Sequence, residues 1–342
     1  MDAFYVSVEV RRRPELGGRP VVVAGTGPRA VVTTASYEAR RFGVGSAMPA
    51  ARARRLCPHA IFLAPDFAYY RKASQEVMQI VRAHVEVIEV VGLDEVYLDL
   101  SGLPAPRAGM RLVRGEIVRQ TALRCSVGIG PNKLVAKVAS DAEKPGGFVV
   151  LSRAQACLRF AGAPCGLVPG IGPKTVDRLA AMGITTLSAL AAAPPQALTE
   201  AFGPRHGAEL ARRARFEDDA PVTQERRVVS ESREVTFDTD ISDLRELEKV
   251  LAGLVERLAA GLAAQGRRGR TVGIKVRLDD FSTHTRARTL PLPVASADAI
   301  GPVARDLLRH FAPSRPVRLL GVRVAGCQEA GRSDAEQLRL AV

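Results

Sequence analysis

Residues 85–101 read VEVIEVVGLDEVYLDLS. Two β-branched and apolar runs flank Gly92, the pattern of two short strands joined at a glycine turn. At that turn Asp94 and Glu95 stand side by side in otherwise apolar surroundings. Neighbours on a strand point to opposite faces, so both acids reach one site only at a strand end or a bend, and Gly92 permits the bend. Paired carboxylates suit hard Mg2+, which binds through a few carboxylates plus substrate phosphates. Two such ions can activate an attacking oxygen and stabilise a leaving one. The competing reading is a solvated hairpin turn. Asp2 is a further carboxylate, but spacing alone does not connect it to the pair.

Working outward, the N-terminal half mixes strands and helices. DAFYVSVEV (2–10) reads as the end of a strand running into a helix. PVVVAG and AVVTTASY form a hairpin across the turn-rich GTGPR. Helical stretches follow at 37–43, 50–58 and 69–86. Residues 107–123 are amphipathic at helical spacing. RCSVGIG (124–130) is a strand, and PNKLVAKVASDAEK a helix opening at its proline. Residues 152–221 change character: Ala- and Leu-rich, without an obvious strand, and broken by PGIGP, MGITT, AAPP and FGPRHG. They predict a small all-helical unit. RFEDDAPVTQERR (215–227) reads as a linker. Residues 228–326 give the order β-α-β-β-α-β, with the long helix at 242–265 opened by a Ser242 cap. That order predicts a four-stranded sheet with helices on one face. The residues after Gly326 read as a flexible tail.

The chain has 342 residues, 46% apolar and 25% charged, which predicts two or three globular units and excludes wholesale disorder. No apolar run approaches the roughly 18 residues of a membrane span. MDAFYVSVEV carries no basic leader, so no secretory signal is expected. Five cysteines form no CxxC pair, pointing to a reducing cytosol and against disulfides or a zinc site. The net charge of +13 calls for a polyanionic partner: nucleic acid or an anionic membrane surface. Gly25-Thr26-Gly27-Pro28-Arg29-Ala30 fits a dinucleotide fingerprint on paper, but a β-branched run follows where a helix is required.

LVPGIGPKTVDRLAAMGITTLSALA (167–191) places short helices around Gly170, Ile171 and Gly172, followed by Lys174. Glycines let a backbone approach closely, and amides at a helix start can hold a phosphate. The pattern reads as a helix–hairpin–helix that grips DNA backbone without reading sequence.

Taken together, MDAFYVSVE (1–9), VVTTASYEARRFGVGSAMP (31–49), GLDEVYLDLSG (92–102), SVGIGPNKLVAKVASDAEKPGG (126–147), VPGIGPKT (168–175) and RPVRLLGVRV (315–324) resemble the Y-family translesion DNA polymerases of the bacterial polymerase IV type. The motifs occur in family order over nearly the whole chain. The resemblance implies an α+β multidomain, right-hand architecture. Its parts would be a discontinuous palm (1–3 and 66–151), fingers (4–65), a helix–hairpin–helix thumb (152–221), a linker (222–227), a β-α-β-β-α-β little finger (228–326) and a tail (327–342).

It also implies the site residues. Asp94 and Glu95 match a metal-carboxylate motif of the palm, with Gly92 where the family usually has Ser. Met1 matches a residue that offers its backbone carbonyl to a metal. Tyr5 matches the aromatic steric gate against the incoming sugar, with Phe4 beside it. Thr34, Tyr37 and Arg40 match the fingers residues that hold the triphosphate, and Lys144 the lysine of the loop that follows; Arg41 is read as solvated. Gly170, Gly172 and Lys174 would contact DNA. So would Ser230, Ser232, Arg233, Lys275, Arg277, Arg286 and Arg288 in the little finger. Gln337, Leu338 and Leu340 resemble a peptide that docks on the β sliding clamp.

The implied cofactor is Mg2+, two ions, with Mn2+ as a substitute. The implied partners are primer–template DNA, a dNTP and the clamp. A cytoplasmic monomer with no membrane association is expected. In the family another metal-binding Asp, preceded by apolar residues of a palm strand, comes immediately before the position of Met1, and Asp2 matches the acid less directly engaged with metal. Two functions are carried forward: a template-directed DNA polymerase acting in damage tolerance, and a catalytically weak DNA- and clamp-binding protein on the same scaffold.

Overall fold

The computed structural model describes residues 1–224 and 228–329. The chain divides into two compact units, Met1–Thr26 with Ala30–Glu225, and Gly27–Arg29 with Arg226–Val342. Among the described residues no helix is long and apolar enough to cross a membrane.

The first unit opens with helix α1 (Phe4–Arg12). Residues 1–3 form no strand, so the strand expected to precede α1 is not seen. Strands β1 (Val21–Ala24) and β2 (Val32–Ala35) make the expected antiparallel hairpin, and β3 (Ile61–Leu63) adds in parallel to β1. Helices α2 (Tyr37–Arg40) and α3 (Ala50–Leu56) lie between them in sequence. Helix α4 (Phe67–His84) leads to β4 (Ile88–Val90) and β5 (Val96–Leu98), paired antiparallel about Gly92. Then come α5 (Pro106–Thr121), β6 (Val127–Ile129), α6 (Lys133–Ala142) and β7 (Phe148–Val150), with β6 and β7 parallel. Helix α6 does not open at Pro131. Asn132 caps it, accepting a bond from the Val135 amide at 2.9 Å, because an amide oxygen can satisfy a free helix donor and a proline ring cannot.

The all-helical stretch is as predicted: α7 (Arg153–Arg159), α8 (Pro173–Ala181), α9 (Leu187–Ala192), α10 (Pro195–Phe202) and α11 (Pro204–Ala214). Three apolar cores underlie this unit. One gathers Val22, Val32, Ala39 and Ala53 around the β1–β2 hairpin. A second gathers Leu179, Leu190, Leu198, Leu210 and Phe216 among α8–α11. The third joins Phe4, Val6 and Val8 of α1 to α4 and α5. The boundary read at residue 4 is therefore not a break in packing, since α1 buries its apolar stripe against α4.

The second unit has the predicted order: β8 (Ser230–Ile241), α12 (Leu244–Ala264), β9 (Arg267–Leu278), β10 (Thr283–Val294), α13 (Ala297–Phe311) and β11 (Val317–Ala325). The spatial order is β10-β9-β11-β8. Leu251, Leu254 and Leu258 of α12 and Ile300, Ala304 and Leu308 of α13 bury against Val272, Ile274, Val276 and Val322. Asp243, not Ser242, caps α12, accepting from the Arg245 amide. The stretch read as tail begins with a further strand, β12 (Gln328–Glu329), paired to Arg267 and Arg268 of β9. The candidate clamp residues Gln337, Leu338 and Leu340 lie outside the described residues.

Candidate active site and nucleic-acid interface

The β4–β5 turn closes through backbone bonds from the Val91 and Gly92 amides to the Glu95 carbonyl, at 3.1 and 3.3 Å. That bend delivers Asp94 and Glu95 to one cleft of about 780 Å³. Met1, Ser126, Lys133, Lys137 and Lys144 share its lining. A side chain at Gly92 would set its Cβ 3.8 Å from Asp94 Oδ1, so a serine here could reach the carboxylate and this glycine cannot. The Met1 nitrogen donates to the Asp94 carbonyl at 2.7 Å.

Asp2 is buried and both its carboxylate oxygens are engaged. Ser126 donates its hydroxyl to Oδ1 and the Gly146 amide donates to Oδ2, each at 2.8 Å. Asp2 thus ties the chain's first residues to the loop that carries Lys144.

Glu95 is held by the Lys137 ammonium. Lys137 also reaches Asp141 at 3.4 Å, and Asp141 pairs with Lys144 at 2.6 Å. Burial pulls the Lys137 ammonium down, but the two carboxylates outweigh it and leave its pKa above the ordinary value. The sequence reading did not single out Lys137 or Asp141. The available signal was spacing: 133, 137 and 141 are four apart, so they share one face of α6.

Tyr5 stacks on Tyr70 and meets the edge of Phe67 at 5.9 Å. Burial first, and the Asp94 charge second, push its phenol above the ordinary value. Phe4 is only 3% exposed; its ring belongs to the core, and only its backbone remains for a ligand. Thr34 lies on β2 and is nearly buried. Ser36 caps α2 by accepting from the Ala39 amide, and α2 carries Tyr37 and Arg40. The Arg40 guanidinium sits 4.6 Å from the Tyr37 ring centroid, and its Nε donates to the Ala35 carbonyl. The Tyr37 hydroxyl is buried and makes no hydrogen bond of ordinary geometry. Burial, then the Asp2 charge, raise its pKa. Arg41 is exposed, as read.

Among the described residues no three His, Cys, Asp or Glu side chains gather as a ready metal cage. Two adjacent carboxylates at a cleft do fit one hard divalent cation, which completes its shell with waters and phosphate oxygens.

At the turn before α8, Gly170 has φ +90°, a left-handed conformation that favours glycine. A Cβ there would stand 2.9 Å from the Arg213 guanidinium, which donates to the Pro169 carbonyl at 2.6 Å. Gly172 is the N-cap of α8, its Cβ direction opens to free space, and Lys174 is exposed. Arg213 is a cation at this turn that the sequence did not reveal, because it comes from α11, some forty residues on.

The structure divides the basic residues of the second unit. On β9 the even-numbered Val272, Ile274 and Val276 face the helices, so Lys275 and Arg277 face the open side. Ser230 and Ser232 share that side, since Val235 and Phe237 set the odd residues of β8 towards the core. Arg233, Arg286 and Arg288 do not. Arg233 pairs with Glu231, and a Cβ on Gly261 of α12 would meet its guanidinium. Arg286 lies over Phe311, and Arg288 pairs with Asp306, both on α13. The pleat is the reason: Arg286 and Arg288 stand opposite Ile274 and Val272. Gly321 lies between Lys275 and Glu234 in the ladder, and these two pair across it at 3.0 Å.

The impB/mucB/samB family profile matches residues 1–141, and that family's C-terminal domain matches 228–340. The thumb domain of DNA polymerase-iota matches 166–218. DNA polymerase IV of Methanoculleus marisnigri is 42% identical, over 98% of this chain and 96% of the relative. That of Alkalilimnicola ehrlichii is 43% identical, over 99% and 97%. Among solved structures, a Y-family DNA polymerase chimera of Dbh and Dpo4 is similar with a TM-score of 0.85 and 26% identity, over 96% of this chain and 97% of that one. An insertion ternary complex of Dbh DNA polymerase is similar with a TM-score of 0.66 and 26% identity, again over 96% and 97%. The chain belongs to the impB/mucB/samB family, with the α+β right-hand fold of a Y-family DNA polymerase of the polymerase IV type.

Proposed function

We propose that this chain extends a primer 3′-hydroxyl with dNTPs on a template, as a translesion polymerase acting in damage tolerance. The observation that carries the reading is the convergence of Asp94, Glu95, Lys137 and Lys144 on one cleft. The relatives' name, DNA polymerase IV, supports DNA and dNTP as partners. Within this reading residues 1–151 supply palm and fingers, 152–221 the thumb and 228–326 the little finger.

Asp94 and Glu95 would hold a divalent cation, Mg2+ or Mn2+, with the Met1 carbonyl as a neutral ligand. When bound, the cation supplies charge neutralisation at the phosphates. The chain's own residues bind and orient. Lys144, Arg40, Thr34 and the Tyr37 hydroxyl offer an ammonium, a guanidinium and two hydroxyls to triphosphate oxygens. The flat Tyr5 ring backs the sugar. Gly170, Gly172, Lys174 and the open sheet face at Lys275 and Arg277 would hold the DNA backbone. Gln337, Leu338 and Leu340 would tether the enzyme to a sliding clamp, raising its effective concentration at the primer end.

Primer extension and gel shift on Asp94→Ala and Glu95→Ala test the reading. Extension should be lost and DNA binding kept. Full extension in both variants would remove the carboxylates from the site. DNA binding without extension in the unaltered chain would favour the accessory role. For the tether, deleting residues 337–342 should leave clamp-free extension unchanged and remove stimulation by the clamp; undiminished stimulation would refute it.

A further inference from the structure

Four charged side chains at the cleft form an alternating row. Lys137 binds Glu95 and, one helical turn along α6, Asp141 Oδ2 at 3.4 Å. Asp141 Oδ1 binds Lys144 at 2.6 Å. In this arrangement both lysines are already partnered, so Lys144, the residue read as a phosphate ligand, is not free to take phosphate. The side chains are about a quarter to two-fifths exposed, so solvent lets them exchange partners without stranding a buried charge.

A divalent cation arriving at Glu95 competes directly with the Lys137 ammonium for the same carboxylate. Lys137 displaced from Glu95 still has Asp141, the other acid it already touches. A closer Lys137–Asp141 pair neutralises Asp141 and weakens its hold on Lys144. We propose that Glu95, Lys137, Asp141 and Lys144 act as an ion-pair relay, in which a cation on Glu95 releases Lys144 for the triphosphate. The relay rests on the reading of Glu95 as a cation ligand and Lys144 as a phosphate ligand. Lys137 and Asp141 are positioning residues: they act through their neighbours. By linkage the coupling is reciprocal, so whatever frees Lys144 also favours the cation.

The test uses the full chain on a primer–template whose primer lacks a 3′-hydroxyl, so that dNTP binding is read without reaction. Dissociation constants for the dNTP are measured in Mg2+ for the unaltered chain, Lys137→Met, Lys144→Ala, the double variant and Lys137→Met/Asp141→Asn. Lys137→Met should weaken dNTP binding about 5-fold, at the low end of typical site couplings, because Asp141 then keeps Lys144. It should have no further effect in the Lys144→Ala background, and Asp141→Asn should restore it. Lys137→Arg, which keeps the cation, should bind dNTP like the unaltered chain. A second readout needs no nucleotide: Mn2+ binding to the protein–DNA complex, followed by electron paramagnetic resonance, should tighten in Lys137→Met, since Glu95 has lost its competitor.

An equal loss from Lys137→Met with and without Lys144 would overturn the relay, leaving only a general charge effect. Unchanged Mn2+ affinity in Lys137→Met would overturn it as well. If Lys144→Ala leaves dNTP affinity unchanged, or Glu95→Gln leaves Mn2+ affinity unchanged, the underlying site reading fails and takes the relay with it. The two failures therefore carry different signatures.

Discussion

Tyr5 lies nearly flat against Tyr70, with ring centroids 4.6 Å apart and planes 24° from parallel. Tyr70 is fully buried and donates its hydroxyl to Glu9 at 2.8 Å, and Glu9 in turn pairs with Arg13. Burial and this carboxylate hold the Tyr70 phenol far above its ordinary pKa, so it stays a neutral donor. The Tyr5 ring therefore rests on a fully buried ring that is itself held by a hydrogen bond. If Tyr5 excludes ribonucleotides by clash, an unyielding backing is what makes the exclusion effective. Overpacking costs of about 1–3 kcal/mol correspond to roughly a 5- to 150-fold discrimination. Tyr5→Ala is expected to raise ribonucleotide insertion relative to dNTP insertion by that order in single-nucleotide assays. An unchanged ratio would return Tyr5 to simple packing against Tyr70.

Asp2 supports a prediction about stability, separate from metal binding. Both its oxygens receive hydrogen bonds in a buried setting, from Ser126 and from the Gly146 amide. Removing them strands two donors, and hydrogen bonds to a charged group are worth about 1.5–3 kcal/mol. Asp2→Ala should lower the urea midpoint by that energy divided by the denaturant slope, with the slope itself unchanged. It should also loosen the loop carrying Lys144, seen as faster hydrogen exchange at Gly146 and Gly147. An urea midpoint equal to that of the unaltered chain would show that neither bond contributes to stability.

The acid pair and the glycine bend were legible because they are local: seventeen consecutive residues specify both strands and the turn. The β-α-β-β-α-β order was legible for the same reason, each element carrying its own period and turn residues. The partners of those acids were not. Lys137 reaches Glu95 across 42 positions and Arg213 reaches Pro169 across 44, and no period encodes such distances. The basic residues of β8 and β10 illustrate a third case. Which face Arg233 and Arg286 take depends on the register of each strand against the helices, which the pleat fixes only once a core residue is known. Composition supplied the charge but not its side.

That division of faces yields a test. Lys275 and Arg277 stand on the open side, Lys275 beside Glu234, while Arg288 and Arg286 stand on the helix side against Asp306 and Phe311. Each true phosphate contact contributes about 0.9 to the slope of log K against log salt. Lys275→Ala with Arg277→Ala should flatten the slope by up to about two, with no change of sequence preference. Arg286→Ala with Arg288→Ala should leave it nearly unchanged. Fluorescence anisotropy across a salt series decides it, and a larger effect from the second pair would place the DNA grip on the edge strand's helix side.

Glu89 gives a prediction in pH. The segment read as a linker is anchored through Thr223, whose amide donates to Glu89 Oε2 at 3.1 Å, and Gln224, which donates to the Glu86 carbonyl at 2.6 Å. The Lys133 ammonium binds the same Glu89 carboxylate at 2.9 Å. Burial pushes the Glu89 carboxyl up, but the Lys133 bond, the Thr223 amide and the Lys133 charge outweigh it and leave it below the usual glutamate value. A carboxyl depressed on folding stabilises the native state above its unfolded pKa, about 4.3, and loses that contribution as pH falls through the folded value. The thermal midpoint of the unaltered chain should therefore exceed that of Glu89→Gln by a constant margin near neutral pH. The margin should shrink below about pH 4.3 and close once Glu89 is protonated in both states. The same substitution should expose residues 217–224 to limited proteolysis at pH 7, since it removes the anionic end of the clamp on Thr223. A margin that persists undiminished at pH 3 would mean that the shape of the Glu89 side chain, and not its charge, holds this segment.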